Sequence, residues 1–259
     1  MTTWWNKQIE RADELASQSS GSRELVSFYS QLLRAQKQIY LSLAERKPTG
    51  DLRSDLPAIR DAMQILLTTV KTHGPEALAG EADKYSKSGF EVLDELLLSY
   101  WRTPSDLDFF AKAFLQPYIY WLKENDIVPR GREIRTGERS CQFCGGNPQV
   151  GVLQSKEVNA ESGVRDLLCA TCLSTWESRR VVCVHCGEER PTQLGYFHTP
   201  EYDHVRIEAC ETCKHYIKCV DLTRLGFAAP LVDEVAAAPL DMWAQAHGYQ
   251  KIELNLVGL

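Results

Sequence analysis

Four Cys-x-x-Cys pairs constrain this chain more than any other feature of its sequence. They are Cys141/Cys144, Cys169/Cys172, Cys183/Cys186 and Cys210/Cys213. Two residues between thiols let both sulfurs of a tight turn face one ion. Two such turns supply the four thiolates of a tetrahedral zinc site or a rubredoxin-type iron site. A single pair is a weak signal because it could be a redox dithiol, but four pairs within 73 residues predict two metal ions per chain.

The cysteine region is also an internal repeat. The run Cys141–Gly145 aligns with Cys183–Gly187, and each glycine follows a second cysteine, where such a turn often needs a positive φ. The runs 164–172 and 205–213 align as well, and both end in Thr-Cys. The paired turns are separated by 24 residues in the first copy and 23 in the second, which is room for a β-hairpin or three short strands.

Because each copy of the repeat is complete, we expect each to hold its own ion. The predicted ligands are Cys141, Cys144, Cys169 and Cys172 for the first ion and Cys183, Cys186, Cys210 and Cys213 for the second. A cross-braced arrangement with alternating pairs is the alternative that spacing alone leaves open. His185 and His215 lie within or just after a cysteine turn, but with eight thiols present we expect them to be surface residues.

The distribution of cysteines indicates a reducing compartment. All nine lie between Cys141 and Cys219, and the first 140 residues have none. A secreted disulfide scaffold is usually small and cross-linked throughout, so we expect a cytoplasmic location. Cys219 has no partner in the repeat, and its expected role is that of a small buried apolar residue.

Charge and hydropathy argue against two classes of partner. The net charge is −6, and between Cys141 and Cys219 eight Lys and Arg residues face ten Asp and Glu residues. Nucleic-acid-binding modules carry a basic footprint instead, so no nucleic acid partner is expected. No stretch approaches the roughly 18 uncharged apolar residues of a membrane span, and residues 1–18 lack the apolar core of a signal peptide. We therefore expect no membrane insertion.

Apolar spacing predicts helices before the cysteines and again after them. The predicted helices cover residues 22–47, 57–73, 75–85, 89–102, 105–125 and 231–247, the last split at Pro239. Strand-like segments cover 148–153, 164–168, 179–182 and 205–208. The expected fold class is α+β: an all-helical domain, two tandem rubredoxin-like or zinc-ribbon metal modules, and a C-terminal helix. The expected ranges are 1–127 for the helical domain, 128–140 for a linker, 141–182 and 183–226 for the modules, and 227–259 for the helix and tail.

Catalytic signatures are absent from the sequence. It contains no Walker loop, dinucleotide fingerprint or His-Glu-x-x-His motif, and no Gly-x-Ser-x-Gly elbow. Four-thiolate sites leave no open coordination position for a substrate. We therefore expect a protein that is not an enzyme.

The order of motifs from Ser140 to the C-terminus resembles the family of the formate dehydrogenase accessory protein FdhE. The resemblance rests on Cys141-x-x-Cys144-Gly145, Leu167-Leu168-Cys169-x-x-Cys172, Trp176, Arg180-Val181-Val182-Cys183-x-x-Cys186, Leu194-Gly195-Tyr196, Glu208-Ala209-Cys210-x-x-Cys213, Tyr216-Ile217-Lys218, Gly248-Tyr249 and Asn255-Leu256. The helical half agrees in architecture without a sharp motif of its own.

What the resemblance implies is a cytoplasmic, chaperone-like assembly factor that binds the formate dehydrogenase catalytic subunit before twin-arginine export. It also implies rubredoxin-like thiolate sites that can hold iron. Two other functions stay open at this point: a rubredoxin-like electron-transfer or redox-sensing protein, and a nucleic-acid-binding zinc ribbon. The sequence does not choose between zinc and iron or fix the oligomeric state.

Overall fold

The computed structural model describes residues 3–18, 21–105, 108–132, 137–155 and 164–259. Part of the predicted linker and the middle of the first repeat lie outside these ranges. The helices are α1 (Thr3–Gln18), α2 (Arg23–Arg46), α3 (Leu52–Ile59), α4 (Met63–His73), α5 (Glu76–Ser86), α6 (Phe90–Arg102), α7 (Phe109–Glu124), α8 (Pro230–Ala236) and α9 (Ala238–Ala246). The strands are β1 (Pro148–Gln154), β2 (Val164–Cys169), β3 (Thr175–Ser178), β4 (Leu194–His198), β5 (Val205–Cys210), β6 (His215–Asp221) and β7 (Gln250–Lys251). The predicted α+β class, with helices flanking a cysteine-rich β region, is confirmed.

Helix α7 is the centre of the helical half. All residues from Phe110 to Leu122 are buried, which is the pattern of a helix enclosed on every side. Pro117 lies inside it and cannot donate a backbone hydrogen bond to the carbonyl of Ala113. The side chain of Gln36 on α2 replaces that donor, since its Nε2 lies 2.9 Å from the Ala113 oxygen. The proline is therefore accommodated by a specific partner from the neighbouring helix.

Aromatic side chains fix the first helix onto this centre. Trp5 is fully buried and packs against Tyr40 and Tyr120, with ring centroids 6.1 and 5.9 Å away. This packing agrees with a core role for the aromatic residues. Helix α1 is not among the helices that apolar spacing predicts.

The second predicted helix begins earlier than its pattern indicates. The prediction places its start at Pro57, whereas α3 begins at Leu52 after Asp51, whose side chain accepts a hydrogen bond from the Ser54 N–H at 3.1 Å. A short 3₁₀ turn then separates α3 from α4. Polar capping at Asp51 thus determines the start, and Pro57 lies within a short helix that ends two residues later.

The seven strands form one sheet in the order β3-β2-β1-β6-β5-β4, with β7 beside β6. Each repeat contributes an antiparallel three-stranded meander, and the parallel pair β1–β6 joins them. Gly151 on β1 pairs with Cys219 on β6, and a Cβ atom at Gly151 would lie only 2.2 Å from the Cys219 sulfur. The glycine makes room for Cys219, which is fully buried as expected.

One predicted strand is wrong. Residues 179–182 do not join the sheet, because β3 ends at Ser178 and the next cysteine turn follows. The carbonyl oxygens of Arg180 and Val182 instead accept hydrogen bonds from the buried guanidinium of Arg165, at 3.5 and 3.3 Å. A side chain therefore takes the place of a neighbouring strand.

The helices α8 and α9 connect the helical half with the sheet. Helix α8 contacts α1, α2, β1 and β6, and Arg11 on α1 pairs with the buried carboxylate of Asp233 at 2.6 Å. The break between the two helices lies at Ala237, with Pro239 in the first turn of α9, as its position in the sequence predicts. Among the residues that the structure describes, none of the helices is both long and apolar enough to cross a bilayer.

A buried charge cluster lies beneath these two helices. Lys218 on β6 and Lys251 on β7 contact the carboxylates of Glu234 on α8 and Asp241 on α9, and all four side chains have at most 1 % exposure. Charges this deep are tolerated only when each has partners. Burial raises the pKa of Glu234, but the two lysines outweigh it and lower that pKa to about 2.

Candidate metal centres

The structure gathers eight of the nine cysteines into two separate groups of four sulfurs. Site 1 consists of Cys141, Cys144, Cys169 and Cys172, and site 2 of Cys183, Cys186, Cys210 and Cys213. Within each group all sulfur atoms lie within 4.8 Å of one another. Each repeat thus collects its own four thiols, which is the sequential grouping rather than the cross-braced one.

The distances between sulfurs suit tetrahedral coordination. In site 1 the Cys141–Cys172 and Cys144–Cys169 sulfur pairs are 3.4 Å apart. In site 2 the Cys183–Cys213 and Cys186–Cys210 pairs are 3.7 Å apart. Metal–sulfur bonds of about 2.3 Å in a regular tetrahedron give sulfur separations of about 3.8 Å. Both groups therefore fit one ion each, and two Cys₄ clusters could hold two metal ions.

The first turn of each site has the same backbone in both repeats. Gly145 N–H donates to Cys141 O and Gly187 N–H donates to Cys183 O, each at 2.8 Å. These glycines have φ values of +72° and +83°, a region that other residues adopt at a cost. The predicted need for positive φ after each second cysteine is confirmed at both positions.

Positive φ values at the second turns were not predicted. Leu173 and Lys214 directly follow Cys172 and Cys213 and have φ values of 59° and 58°. Neither is a glycine, so composition gives no signal there. The alignment of the two repeats is the feature that could have indicated a shared backbone at this position.

Site 1 lies inside the protein core. All four of its cysteines are buried and belong to the same apolar cluster as the helices. From α7, Gln116 Nε2 donates to the carbonyl of Ala170, between the two cysteines of the second turn, at 2.8 Å. Lys112, also on α7, contacts Glu253 of the C-terminal tail, which accepts in turn from Asn147 next to site 1. The helical half and the tail therefore support this site directly.

Site 2 lies at the surface. Cys186 is exposed and Cys213 is partly exposed, whereas Cys183 and Cys210 are buried. Charged side chains lie beside it, among them Glu188, which accepts from Thr212 at 2.7 Å and pairs with Arg190. On one flank the C-terminal segment adds β7, where Gln250 N–H donates to Lys214 O at 2.8 Å. Solvent thus reaches two of the four cysteine residues.

Burial and neighbouring thiols shift the pKa values in these sites in opposite directions, and hydrogen bonds with Cys144, Cys169 and Cys172 lower the pKa of Cys141. Desolvation raises the pKa of Cys169 in site 1 well above its ordinary value, and it also raises the pKa of Cys213 in site 2. Burying a negatively charged sulfur is costly, so desolvation favours the protonated form of these two thiols. A bound cation reverses this preference and converts a coordinating thiol to thiolate.

The other residues singled out in the sequence take part in packing or hydrogen bonds and do not complete either four-sulfur site. Tyr216 is fully buried and donates to Asp241 at 2.8 Å, while Trp176 is partly buried and its indole N–H donates to the Glu138 carbonyl at 2.9 Å. Desolvation raises the pKa of the Cys219 thiol, and its sulfur is not part of either site. His185 and His215 were not predicted to act together, yet their rings stack with centroids 3.7 Å apart.

Comparisons with known proteins agree with this architecture. Residues 181–257 match the family model described as FdhE, C-terminal domain. A protein FdhE homolog of Aquifex aeolicus is 35 % identical over 152 residues, covering 59 % of this chain and 52 % of that protein. A protein FdhE homolog of Haemophilus ducreyi is 26 % identical and covers 97 % of this chain and 88 % of that protein.

A solved structure extends the similarity to the fold of the whole chain. The crystal structure of the FdhE protein from Pseudomonas aeruginosa matches with a TM-score of 0.70 at 21 % identity, covering 99 % of this chain and 96 % of that one. At this identity the match shows a shared fold. Together with the sequence matches, it confirms the resemblance to the FdhE family that the cysteine motifs indicate.

Proposed function

We propose that this protein is an accessory protein for formate dehydrogenase. The chain resembles the FdhE family in both its helical half and its cysteine-rich half. The observation that carries this proposal is the match of residues 181–257 to the FdhE C-terminal domain, supported by the shared fold of the chain and by its two four-sulfur sites. In this proposal the protein acts in the cytoplasm and binds the catalytic subunit during maturation, as a chaperone does.

The eight paired cysteines are the proposed ligands of two metal ions, each zinc or iron. Each site offers four sulfurs at tetrahedral spacing, and a four-thiolate site leaves no coordination position for a substrate. The ions therefore stabilise the fold and shape its surface, and the protein works by binding rather than by catalysis. The ranges 141–182 and 183–226 are the proposed metal modules, which share one sheet.

The partner is tested by co-purification. The tagged full-length chain, expressed in its source organism and purified without oxygen, should recover the formate dehydrogenase catalytic subunit. A deletion strain should lose formate oxidation and regain it with the wild-type gene. Recovery of no such subunit, together with undiminished formate oxidation in the deletion strain, would remove the proposal.

Cysteine variants connect the metal sites with this role. Cys144→Ser and Cys186→Ser should each fail to restore formate oxidation fully, while Cys219→Ala should restore it. Cys219 is the matched control because it is the one cysteine outside both sites. If all three variants restore oxidation equally, the metal sites have no part in the function.

A second candidate function is rubredoxin-like electron transfer through site 2. The exposure of Cys186 favours it, because an iron with a ligand at the surface lies close to a docked redox partner. The protein purified without oxygen would then be red and bleach reversibly on reduction. Colourless protein with two zinc ions per chain would exclude this function.

A further inference from the structure

Beside site 2 lies a second set of metal-binding atoms, two of which the tetrathiolate assignment does not use. His185, Cys213 and His215 place one imidazole nitrogen each and one sulfur within 4.8 Å of one another. The two rings are nearly parallel, at an interplanar angle of 9°. His185 is exposed, and the other two residues are partly exposed. Cys213 belongs to both this set and site 2.

The hydrogen bond of His215 prepares it for metal binding. Its Nδ1 lies 2.7 Å from the carbonyl oxygen of Cys213. A carbonyl only accepts, so Nδ1 carries the proton and Nε2 has a free lone pair. Metal-binding histidines use the same arrangement, in which the second ring nitrogen donates to a carbonyl or carboxylate. The backbone of site 2 thus fixes the tautomer that can bind an ion through Nε2.

The internal repeat shows that these histidines are particular to site 2. Phe143 occupies the position in site 1 that corresponds to His185, and Ser174 occupies the position that corresponds to His215. The turns are otherwise alike, as the matching hydrogen bonds and the positive φ values of Gly145 and Gly187 show. The metal-binding imidazoles thus coincide with the exposed site and are absent from the buried one.

We propose that the ion of site 2 is exchangeable and that His185, Cys213 and His215 form the ligand set through which it is loaded and released. The proposal rests on the metal assignment of site 2 but not on the identity of the client protein. Imidazole and thiolate both bind zinc and ferrous iron. In the first step Cys213 stays bound, while metal–nitrogen bonds to the two histidines form as metal–sulfur bonds to the other three cysteines break. Donor atoms of the acceptor then replace His185, His215 and Cys213, and loading follows the same steps in reverse. The released thiolates take protons from water, and no electrons are transferred.

The test measures how fast zinc leaves the full-length chain. The protein is loaded with zinc, the metal content is measured, and the ions are then transferred to an excess of the chromogenic chelator 4-(2-pyridylazo)resorcinol in a stopped-flow instrument. The wild type should hold two zinc ions and release them in two phases, a fast one from site 2 and a slow one from site 1. In the double variant H185F/H215S, which copies site 1 into site 2, the fast phase should slow by at least tenfold.

The control is His198→Ser, because His198 is an exposed histidine on β4 outside both ligand sets. It should leave both phases unchanged. A double variant that keeps two zinc ions and an unchanged fast phase would overturn the exchange proposal and leave the metal sites intact. A wild type that binds fewer than two zinc ions would overturn the metal assignment itself.

A second measurement tests the proposal if the double variant H185F/H215S folds poorly. Cobalt(II) bound to Cys186→Ser, in which site 2 has lost one sulfur, should show mixed nitrogen and sulfur coordination in its d–d absorption. The mixed-coordination bands should disappear, leaving only the all-sulfur bands of site 1, when His185→Phe and His215→Ser are added. A spectrum in the Cys186→Ser chain that shows only sulfur coordination would contradict the use of the histidines.

Discussion

Sites 1 and 2 have the same local turns and opposite surroundings. The first-turn hydrogen bonds in each site are 2.8 Å long, yet site 1 is enclosed by α7 and the C-terminal tail while Cys186 of site 2 is exposed. A repeated sequence motif therefore specifies the sulfur geometry, and the elements packed around it specify access. We expect site 1 to hold the two halves of the chain together and site 2 to face other molecules.

The largest expected difference between the two sites is the loss of stability when one sulfur is removed from each. Cys144→Ser should lower the free energy of unfolding by more than about 4 kcal/mol, because loss of a buried metal is among the most destabilising changes. Cys186→Ser should cost about half as much, since water solvates the exposed serine. Denaturant unfolding of both variants measures the difference. Equal losses would show that burial does not distinguish the sites.

Low pH should weaken the packing of the C-terminal segment, which supports both sites. The pKa of Glu234 is lowered to about 2, so its stabilising effect is complete above its ordinary pKa near 4.5 and is lost as the pH falls towards 2. A shift of this size corresponds to a contribution on the order of 3 kcal/mol at neutral pH. The wild type should lose stability between about pH 4.5 and pH 2.

The control for this pH dependence is Glu234→Gln. This variant should be less stable than the wild type at pH 7 and should lose less stability between about pH 4.5 and pH 2. The same loss in both chains would assign the acid effect to other groups. Because Glu234 accepts hydrogen bonds from Asn255 and contacts Lys251, its protonation should loosen the C-terminal segment that supports both sites.

Removing the contact between α7 and site 1 should affect only that site. Gln116→Leu leaves the buried carbonyl of Ala170 without its donor, and an unpaired buried polar group costs about 1–3 kcal/mol. Zinc release from site 1 should accelerate, while release from site 2 stays the same. The control is Gln142→Ala, which removes an exposed glutamine from the first turn of site 1. Faster release from both sites would show that Gln116 acts on the whole fold.

The smallest expected effect is that of Cys219→Ala. The change removes one buried sulfur atom opposite Gly151 and should cost about 1 kcal/mol. The chain should keep as many metal ions as the wild type, as measured by elemental analysis. Loss of an ion in this variant would place Cys219 among the ligands.

The sequence predicts those features that depend on residues close together in the chain. Cysteine spacing and the glycines at 145 and 187 define the turns locally, so the four-sulfur groups follow from the repeat. Pairing of β1 with β6 joins residues far apart in the chain, and its one signal is Gly151, a glycine within a strand that marks close approach of another residue. The burial of Glu234 and the stacking of His185 on His215 also depend on packing between distant segments. The second copy of the repeat has histidines at the positions where the first copy has Phe143 and Ser174. This difference is the signal that could have indicated the stacked pair.

The most direct test of the central claim is to count the metal ions in three chains purified without oxygen: wild type, Cys144→Ser and Cys186→Ser. Two independent four-sulfur sites predict two ions in the wild type. At metal concentrations too low to fill a site that has lost one cysteine, with or without the neighbouring histidines, they predict one ion in each variant. Wild-type protein without metal, with its paired cysteines joined as disulfides, would contradict the account.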